Sequence, residues 1–168
     1  MRQSHWAIPE DLMVESLRTM RPHGAVGNEG LALWLGTGSG TRAEITHVVE
    51  VRGAGFRTSP LFMSLSMRAM ASLTELAERQ GAYLVGQIHS HPGTLLNLSD
   101  LDEEHGIRIP DYLSVVCPYY AQRNSALADC GIHVFEGRRY RRLDRAEAEH
   151  RITATASRVN KICIEVPA

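Results

Sequence analysis

The chain has few of the features that mark disulfide-rich or metal-knuckle domains. Among its 168 residues there are only three cysteines, and aromatic residues make up 6%. Cys117, Cys130 and Cys163 are odd in number, lie far apart and form no Cys-x-x-Cys pair. This pattern excludes a disulfide framework and a structural zinc knuckle. We expect the three thiols to be ordinary core or surface groups.

Long apolar runs and an excess of charge of one sign are also missing. No run approaches the roughly 18 residues of a membrane span, and the first residues lack the apolar segment of a signal peptide. The formal net charge is −1, which gives no general signature of binding to nucleic acid or to a membrane surface. We therefore expect a cytoplasmic protein with neither kind of partner, folded as a single domain over residues 1–168.

Two histidines follow an apolar run in the middle of the chain. Residues 83–88 are predicted to form a buried strand, because the run is rich in branched and aromatic side chains. Residues two apart on a strand point to one face, so His89 and His91 are expected side by side at the strand's carboxyl end. Pro92 has no N–H to donate and ends the strand there.

A serine and an aspartate follow at the start of a predicted helix. Ser99 occupies an N-cap position, and acidic residues fill the first turn, where the helix dipole favours them. Residues three apart share one helix face, so Ser99 and Asp102 can point to one place. The intervening loop, residues 93–98, is expected to bring that place to the two histidines.

Each of these residues alone has a simpler interpretation. A histidine is usually a core or surface group, Ser99 can be only a helix cap, and Asp102 only a partner of the dipole. Together, two imidazoles and a carboxylate provide the three protein ligands of a hydrolytic zinc site, whose fourth position is left to water. The combined spacing predicts a zinc site formed by His89, His91 and Asp102.

These residues resemble the signature of the JAB/MPN metalloproteases, a distant Glu followed by His-x-His-Pro-x6-Ser-x2-Asp. His89, His91, Pro92, Ser99 and Asp102 match it without substitution. The resemblance implies that the two histidines and Asp102 bind Zn²⁺, and that Ser99 stabilises the developing oxyanion. It also implies an α/β fold, an MPN-like (cytidine-deaminase-like) sandwich with a central mixed β-sheet flanked by helices.

The family's upstream glutamate, its general acid/base, is assigned to Glu29. The segment from Glu29 to Gly36 resembles the family's Glu-x-x-Gly-Leu-Leu-x-Gly strand, although Gly30 lies earlier than the usual glycine. Four other glutamates compete, two on a predicted helix and two on a predicted strand, and each has an adequate surface explanation. These are Glu10, Glu15, Glu44 and Glu50.

The resemblance further implies a peptidase or isopeptidase that cleaves after the carboxyl-terminal glycine of a ubiquitin-like protein. The chain resembles the stand-alone bacterial JAB proteins that accompany ubiquitin-like conjugation systems. The resemblance therefore implies that other members of such a system are partners. Three alternatives stay open: trimming of a sulfur-carrier protein or a small amino-acid adduct, a metal-free MPN scaffold, and a RadC-like protein linked to DNA repair. The scaffolds typically lose ligands, and the near-neutral charge gives DNA binding little support.

The remaining chain is predicted as alternating helices and strands. A glycine turn at residues 36–40 joins the predicted strands 31–35 and 45–51 into a hairpin. This turn lacks the Lys-Ser/Thr ending of a phosphate-binding loop. Five arginines between residues 138 and 145 are best explained by a solvated edge strand, and contact with an acidic partner patch stays open as the alternative. Residues 119–129 are predicted to form a loop, which is a candidate for facing substrate. The predicted helices are 9–20 and 59–80, and the predicted strands 31–35, 45–51, 112–117, 131–135, 139–143 and 161–166.

Overall fold

A large mixed β-sheet with helices packed on it forms the molecule, which a computed structural model describes for residues 4–168. The helices are α1 (Leu12–Gly24), α2 (Met67–Arg79), α3 (Asp100–His105) and α4 (Arg145–Arg151). The strands are β1 (His5–Pro9), β2 (Leu31–Ser39), β3 (Arg42–Gly53), β4 (Phe56–Thr58), β5 (Met63–Leu65), β6 (Tyr83–Ser90), β7 (Leu113–Cys117), β8 (Gly131–Phe135), β9 (Tyr140–Arg142), β10 (Ile152–Thr155) and β11 (Asn160–Val166).

Among residues 4–168, nine strands form the main sheet: eight follow the order β10-β1-β3-β2-β6-β7-β8-β9, and β11 pairs with β3 outside that order. The long strand β3 has two parallel neighbours on the same edge: β1 pairs with its first residues, and β11 pairs with residues 47–53. The strand with the histidines, β6, lies between β2, which is antiparallel to it, and β7, which is parallel. β4 and β5 form a separate two-stranded hairpin.

Helices cover both faces of the sheet, so successive residues of β2 pack into different hydrophobic cores. Trp34 belongs to the core beneath α1, and its indole N–H donates to Ser16 Oγ at 3.0 Å. Leu33 belongs to the core beneath α2, where Leu73 and Leu76 pack against it. A strand buried on both sides reads as a continuous apolar run, as residues 31–35 do.

The predicted fold class is confirmed: a mixed α/β architecture with a central, curled mixed sheet flanked by helices, consistent with an MPN-like fold. The predicted hairpin is also present, but its turn is shorter than expected. Residues 36–39 continue β2, and the chain reverses at Gly40 and Thr41. Both strands can extend because Gly36 lets the backbone of Glu44 approach: a Cβ there would lie 2.3 Å from the Glu44 carbonyl oxygen.

Two predicted helices begin at the wrong residue. Pro9 does not start α1 but ends β1, which pairs with β10 from the far end of the chain. The second helix starts at Met67 rather than Ser59, since the Ser66 side chain caps it by accepting from Ala69 N at 3.0 Å. Residues 59–65 instead belong to the β4–β5 hairpin and its turn.

Other sequence expectations agree with the structure. β9 is an edge strand of the main sheet, and residues 119–129 form a loop with two short 3₁₀ turns; contact of this loop with substrate stays a prediction. Cys117 and Cys130 are buried, Cys163 is exposed, and all three are free. Within residues 4–168, no helix has the length and apolar character needed to cross a membrane. Of the predicted single domain, residues 1–3 lie outside the described residues.

Candidate metal centre

The two histidines lie at the carboxyl end of β6, at the centre of the sheet. His89 is fully buried, opposite Leu31 of β2 and Val116 of β7. His91 lies just past the strand, but its backbone is still held by the sheet, because His91 N donates to the Cys117 carbonyl at 2.9 Å. The alternation of the strand thus places both imidazoles on one side.

A strained turn after β7 holds the chain that follows His91. Tyr119, Tyr120 and Ala121 have φ values of 55°, 52° and 59°, a left-handed conformation that costs about 1 kcal/mol or more per non-glycine residue. Tyr120 N donates to the His91 carbonyl at 2.8 Å, and Tyr119 N donates to the Gly93 carbonyl at 3.1 Å. These bonds fix the path of the chain directly after the second histidine.

The first turn of α3 supplies the carboxylate. Ser99 is the N-cap: its Oγ accepts from Asp102 N at 3.1 Å, and the Asp102 Oδ2 accepts from Ser99 N at 2.8 Å. This reciprocal capping box locks the Asp102 side chain in one orientation. Asp102 is therefore both the cap partner expected from sequence and the third residue of the site.

Three potential ligand atoms converge on one point. His89 Nε2 and His91 Nε2 are 3.1 Å apart, and Asp102 Oδ2 lies 3.2 Å from His91 Nε2 and 3.5 Å from His89 Nε2. A tetrahedral ion with bonds of about 2.0–2.1 Å separates its ligands by about 3.4 Å. The triangle formed by these atoms therefore has the size that a tetrahedral metal ion requires, and these residues can hold one.

Hydrogen bonds of the imidazoles also fit a metal. His91 Nδ1 lies 3.1 Å from the Leu95 carbonyl oxygen, which only accepts, so Nδ1 carries a hydrogen and Nε2 is the nitrogen that can bind a metal when the ring is neutral. Such a carbonyl contact typically orients histidines that bind metals. His89 Nδ1 has no hydrogen-bond partner among residues 4–168. A cation between the two facing imidazole nitrogens and the carboxylate would be bound favourably, because all three atoms can donate a lone pair to it.

Charges at the site are strongly coupled. Burial alone would raise the pKa of Asp102, but hydrogen bonds from His89, His91 and Ser99 outweigh it and hold that pKa well below its usual range. For His91, burial lowers the pKa, yet the hydrogen bond and charge of Asp102 more than compensate and raise it. The carboxylate therefore stays ionised at neutral pH, as a metal ligand must.

Glu29 lies immediately before β2 and is almost completely buried, with 2% of its surface exposed. Its backbone is fixed, since Glu29 N donates to the Ser59 carbonyl at 3.0 Å and the Thr58 hydroxyl donates to the Glu29 carbonyl. Its Oε2 has no hydrogen-bond partner in the described part of the chain. Burial, opposed by the charge of His91 and reinforced by that of Asp102, raises the pKa of Glu29 to about 7.

The competing glutamates lack this environment. Glu10 and Glu44 are exposed, and Glu15 pairs with Arg18 at 2.7 Å. Glu50 is buried but binds Arg52 at 3.0 Å across the surface of β3. Of these candidates, Glu29 alone combines burial, an unpaired oxygen and electrostatic contact with two residues of the triad.

Sequence reasoning did not find the groups that support the site. The Leu95 carbonyl and the left-handed turn at residues 119–121 orient His91 through the backbone, and backbone contacts leave no signature in residue type. Gly131 is the residue whose type reflects this arrangement in the sequence. A Cβ at this position would lie 1.9 Å from the Leu96 carbonyl oxygen. The start of β8 is thus a glycine because the loop with Leu95 passes directly over it.

Comparison with known proteins agrees with this geometry. The chain matches no protein-family model. It is 29% identical over 118 residues to the protein named probable metalloprotease y4jG of Sinorhizobium fredii, covering 69% of this chain and 72% of that protein. Its fold is similar to the solution structure of protein DSY2949 from Desulfitobacterium hafniense, with a TM-score of 0.66, 19% identity, and coverage of 90% and 94% of the two chains.

Proposed function

We propose that this protein is a zinc-dependent peptidase of the JAB/MPN kind. The observation that carries the proposal is the triangle of His89 Nε2, His91 Nε2 and Asp102 Oδ2, with edges of 3.1, 3.2 and 3.5 Å. The similarity to a probable metalloprotease supports a metal-dependent peptidase in general. Zinc is the proposed ion because two imidazoles and one carboxylate form its usual hydrolytic ligand set.

A zinc ion held by this triad would supply an activated water and polarise the scissile carbonyl. The residues around it perform the proton transfers. The Glu29 carboxylate, whose pKa burial raises above its ordinary value, can accept a proton and return it to the departing amine. Its unpaired Oε2 is the atom available for this transfer.

Ser99 is proposed to stabilise the oxyanion. Its Oγ accepts from Asp102 N, and within residues 4–168 the hydroxyl hydrogen has no acceptor, so it remains free to donate. The Ser99 cap fixes the position of that hydroxyl relative to Asp102. Capping and oxyanion binding therefore use different atoms of the same hydroxyl group and are compatible.

The proposed substrate is the carboxyl-terminal glycine tail of a ubiquitin-like protein or its conjugates, cleaved in the cytoplasm during maturation or deconjugation. The match of the whole His-x-His-Pro-x6-Ser-x2-Asp signature supports it, and other members of such a conjugation system are the proposed partners. The retained ligand triad disfavours a metal-free scaffold. We expect no nucleic-acid or membrane partner, given a net charge of −1.

Cleavage of defined substrates tests the proposal. Ubiquitin and a sulfur-carrier protein, each fused through its terminal glycine to a fluorescent reporter, are compared with a free Gly-Gly reporter, with and without chelator. We expect chelator-sensitive cleavage of a protein fusion. Cleavage of the free dipeptide alone would favour small adducts, and cleavage that survives metal removal would contradict a metallopeptidase.

Substitutions separate the roles of the residues in the same assay. Glu29→Gln should keep the metal and lose turnover, because the amide cannot accept a proton, whereas His91→Ala should lose both. The matched control for Glu29→Gln is Glu44→Gln, which changes an exposed glutamate of β3. A Glu29→Gln protein as active as the wild type would contradict the role proposed for that residue.

A further inference from the structure

A small cleft beside the metal centre has an unused hydrogen-bond donor on its floor. The cavity measures about 220 Å³ and lies between β5, α2 and α3. Asp102 lines it and also belongs to the metal triad, so the cleft adjoins the site. The apolar residues around it are Leu31, Met63, Leu65, Met70, Leu101 and Ile107.

Gln87 forms the floor of this cleft. It precedes His89 by two residues on β6, so the two side chains share one face of the sheet. Gln87 is 7% exposed, and the hydroxyl of Tyr112 donates to its Oε1 at 3.0 Å. In the described part of the chain, Gln87 Nε2 has no hydrogen-bond partner.

Tyr112 determines which end of the amide faces the cleft. Its side chain is fully buried, and burial raises the pKa of Tyr112 well above its usual value, so the hydroxyl keeps its hydrogen. That hydrogen needs an acceptor, and among residues 4–168 Gln87 Oε1 provides it. The amide oxygen therefore faces Tyr112, and the NH₂ group faces the cleft.

We propose that this cleft is a specificity subsite for a substrate side chain with an apolar stem and a terminal neutral carbonyl, as in glutamine, and that Gln87 Nε2 donates to that carbonyl. The proposal rests on the peptidase function proposed above and identifies a preference within it. The cleft is smaller than the roughly 300–1,000 Å³ of pockets that enclose whole small ligands, so it is sized for one side chain.

The chemistry of the walls limits what the cleft can bind. Ser64, Asp102 and His105 also line the cleft, and a bound carboxylate would lie beside the ionised carboxylate of Asp102, which repels it. A purely apolar side chain would leave the NH₂ group of Gln87 buried without a partner.

The test is a pair of binding measurements on zinc-loaded Glu29→Gln protein, in which cleavage is not expected. Dye-labelled Ala-Gly hexapeptides carry glutamine, methionine or glutamate at each position in turn, and dissociation constants are measured by fluorescence polarisation. At one position we expect glutamine to bind roughly tenfold more tightly than methionine, the value of one buried hydrogen bond. Glutamate should bind more weakly than glutamine at that position.

A double variant removes the donor without leaving a buried polar group unpaired. Gln87→Met with Tyr112→Phe replaces both hydrogen-bonding partners by apolar groups of similar shape, a change that is often nearly neutral for stability. This variant should lose the preference for glutamine over methionine. Tyr112→Phe alone keeps the Gln87 amide but no longer fixes its orientation, so its preference for glutamine should lie between those of the wild type and the double variant.

The outcomes separate this proposal from the proposed function. Equal binding of glutamine and methionine peptides at every position, or an unchanged preference in the double variant, would overturn the subsite even if the wild type cleaves peptides. A preference that depends on Gln87 would support the subsite even if no peptide is cleaved, and that second result would count against the peptidase function alone. Absence of binding by every peptide would overturn the subsite.

Discussion

Replacing Glu29 by glutamine should stabilise the metal-free protein, and the gain should depend on pH. The structure raises the pKa of this carboxyl from its ordinary 4.5 to about 7. Between these values the folded protein holds a proton that the unfolded chain has released, so a rise in pH destabilises the fold. Glutamine cannot ionise and avoids this loss.

The expected magnitude follows from the same two values. A rise from 4.5 to about 7 corresponds to about 3 kcal/mol of unfolding free energy. The gain in Glu29→Gln should be below about 1 kcal/mol near pH 4.5, increase across the interval, and level off at about 3 kcal/mol above pH 7. Groups far from Glu29 titrate alike in both proteins and cancel from the difference, whereas the pKa of His91, which the charge of Glu29 helps to raise, is lower in the variant.

Urea unfolding of the chelated protein at pH 5, 6, 7 and 8 measures this difference. Glu44→Gln serves as the control for the exchange itself, because it changes an exposed residue. Added zinc should reduce the gain, since a nearby cation favours the ionised carboxylate. A gain that is constant with pH, or that decreases as the pH rises, would refute the burial of an ionisable Glu29 carboxyl.

The supporting groups give further predictions. Ser99→Ala removes the side-chain cap of α3 and should cost about 1 kcal/mol in chemical denaturation. The Ser99 N–H still donates to Asp102 Oδ2, but the first helical turn that holds Asp102 loses its bond from Asp102 N to Ser99 Oγ, so zinc affinity should fall by roughly tenfold; unchanged affinity would contradict the orienting role of the cap. Gly131→Ala places a Cβ against the Leu96 carbonyl and should lower both thermal stability and zinc affinity, whereas Gly93→Ala, which meets open space in the same loop, should lower neither. Equal effects of the two glycine changes would contradict this account of the loop.

The elements that could be predicted from sequence are those with local signals. The apolar run before His89 predicts β6, and the cap and acidic turn at Ser99 predict α3. The convergence of the triad needs only the strand period and the short loop between these elements. For the same reason, the candidate ligands could be proposed without knowledge of the rest of the sheet.

The errors arise where distant parts of the chain decide the structure. β1 is a strand because β10 and β3 pair with it, and β10 lies about 145 residues further along the chain. No pattern near Pro9 contains that pairing, so the proline was assigned to a helix start. β10 itself could not be predicted for the same reason, whereas α4 has a local signal, the N-cap Asp144, which accepts from Glu147 N.

The start of the second helix was predicted wrongly because two local signals conflict. The spacing of Leu61 and Leu65 continues the helical period backwards from α2, but Ser66 caps the helix and Pro60 precedes a turn. The resulting β4–β5 hairpin contributes Met63 and Leu65 to the cleft beside the metal centre. The cleft, and with it Gln87, was therefore not visible from sequence.

The most direct test of the metal centre is the zinc content of purified protein after loading and dialysis, measured by mass spectrometry. Wild-type protein and Asp102→Asn are compared with Asp100→Asn, which changes an exposed aspartate of the same helix outside the triad. The account predicts one zinc per chain in the wild type and in Asp100→Asn, and almost none in Asp102→Asn. Wild-type protein without zinc, or full zinc content in Asp102→Asn, would contradict it.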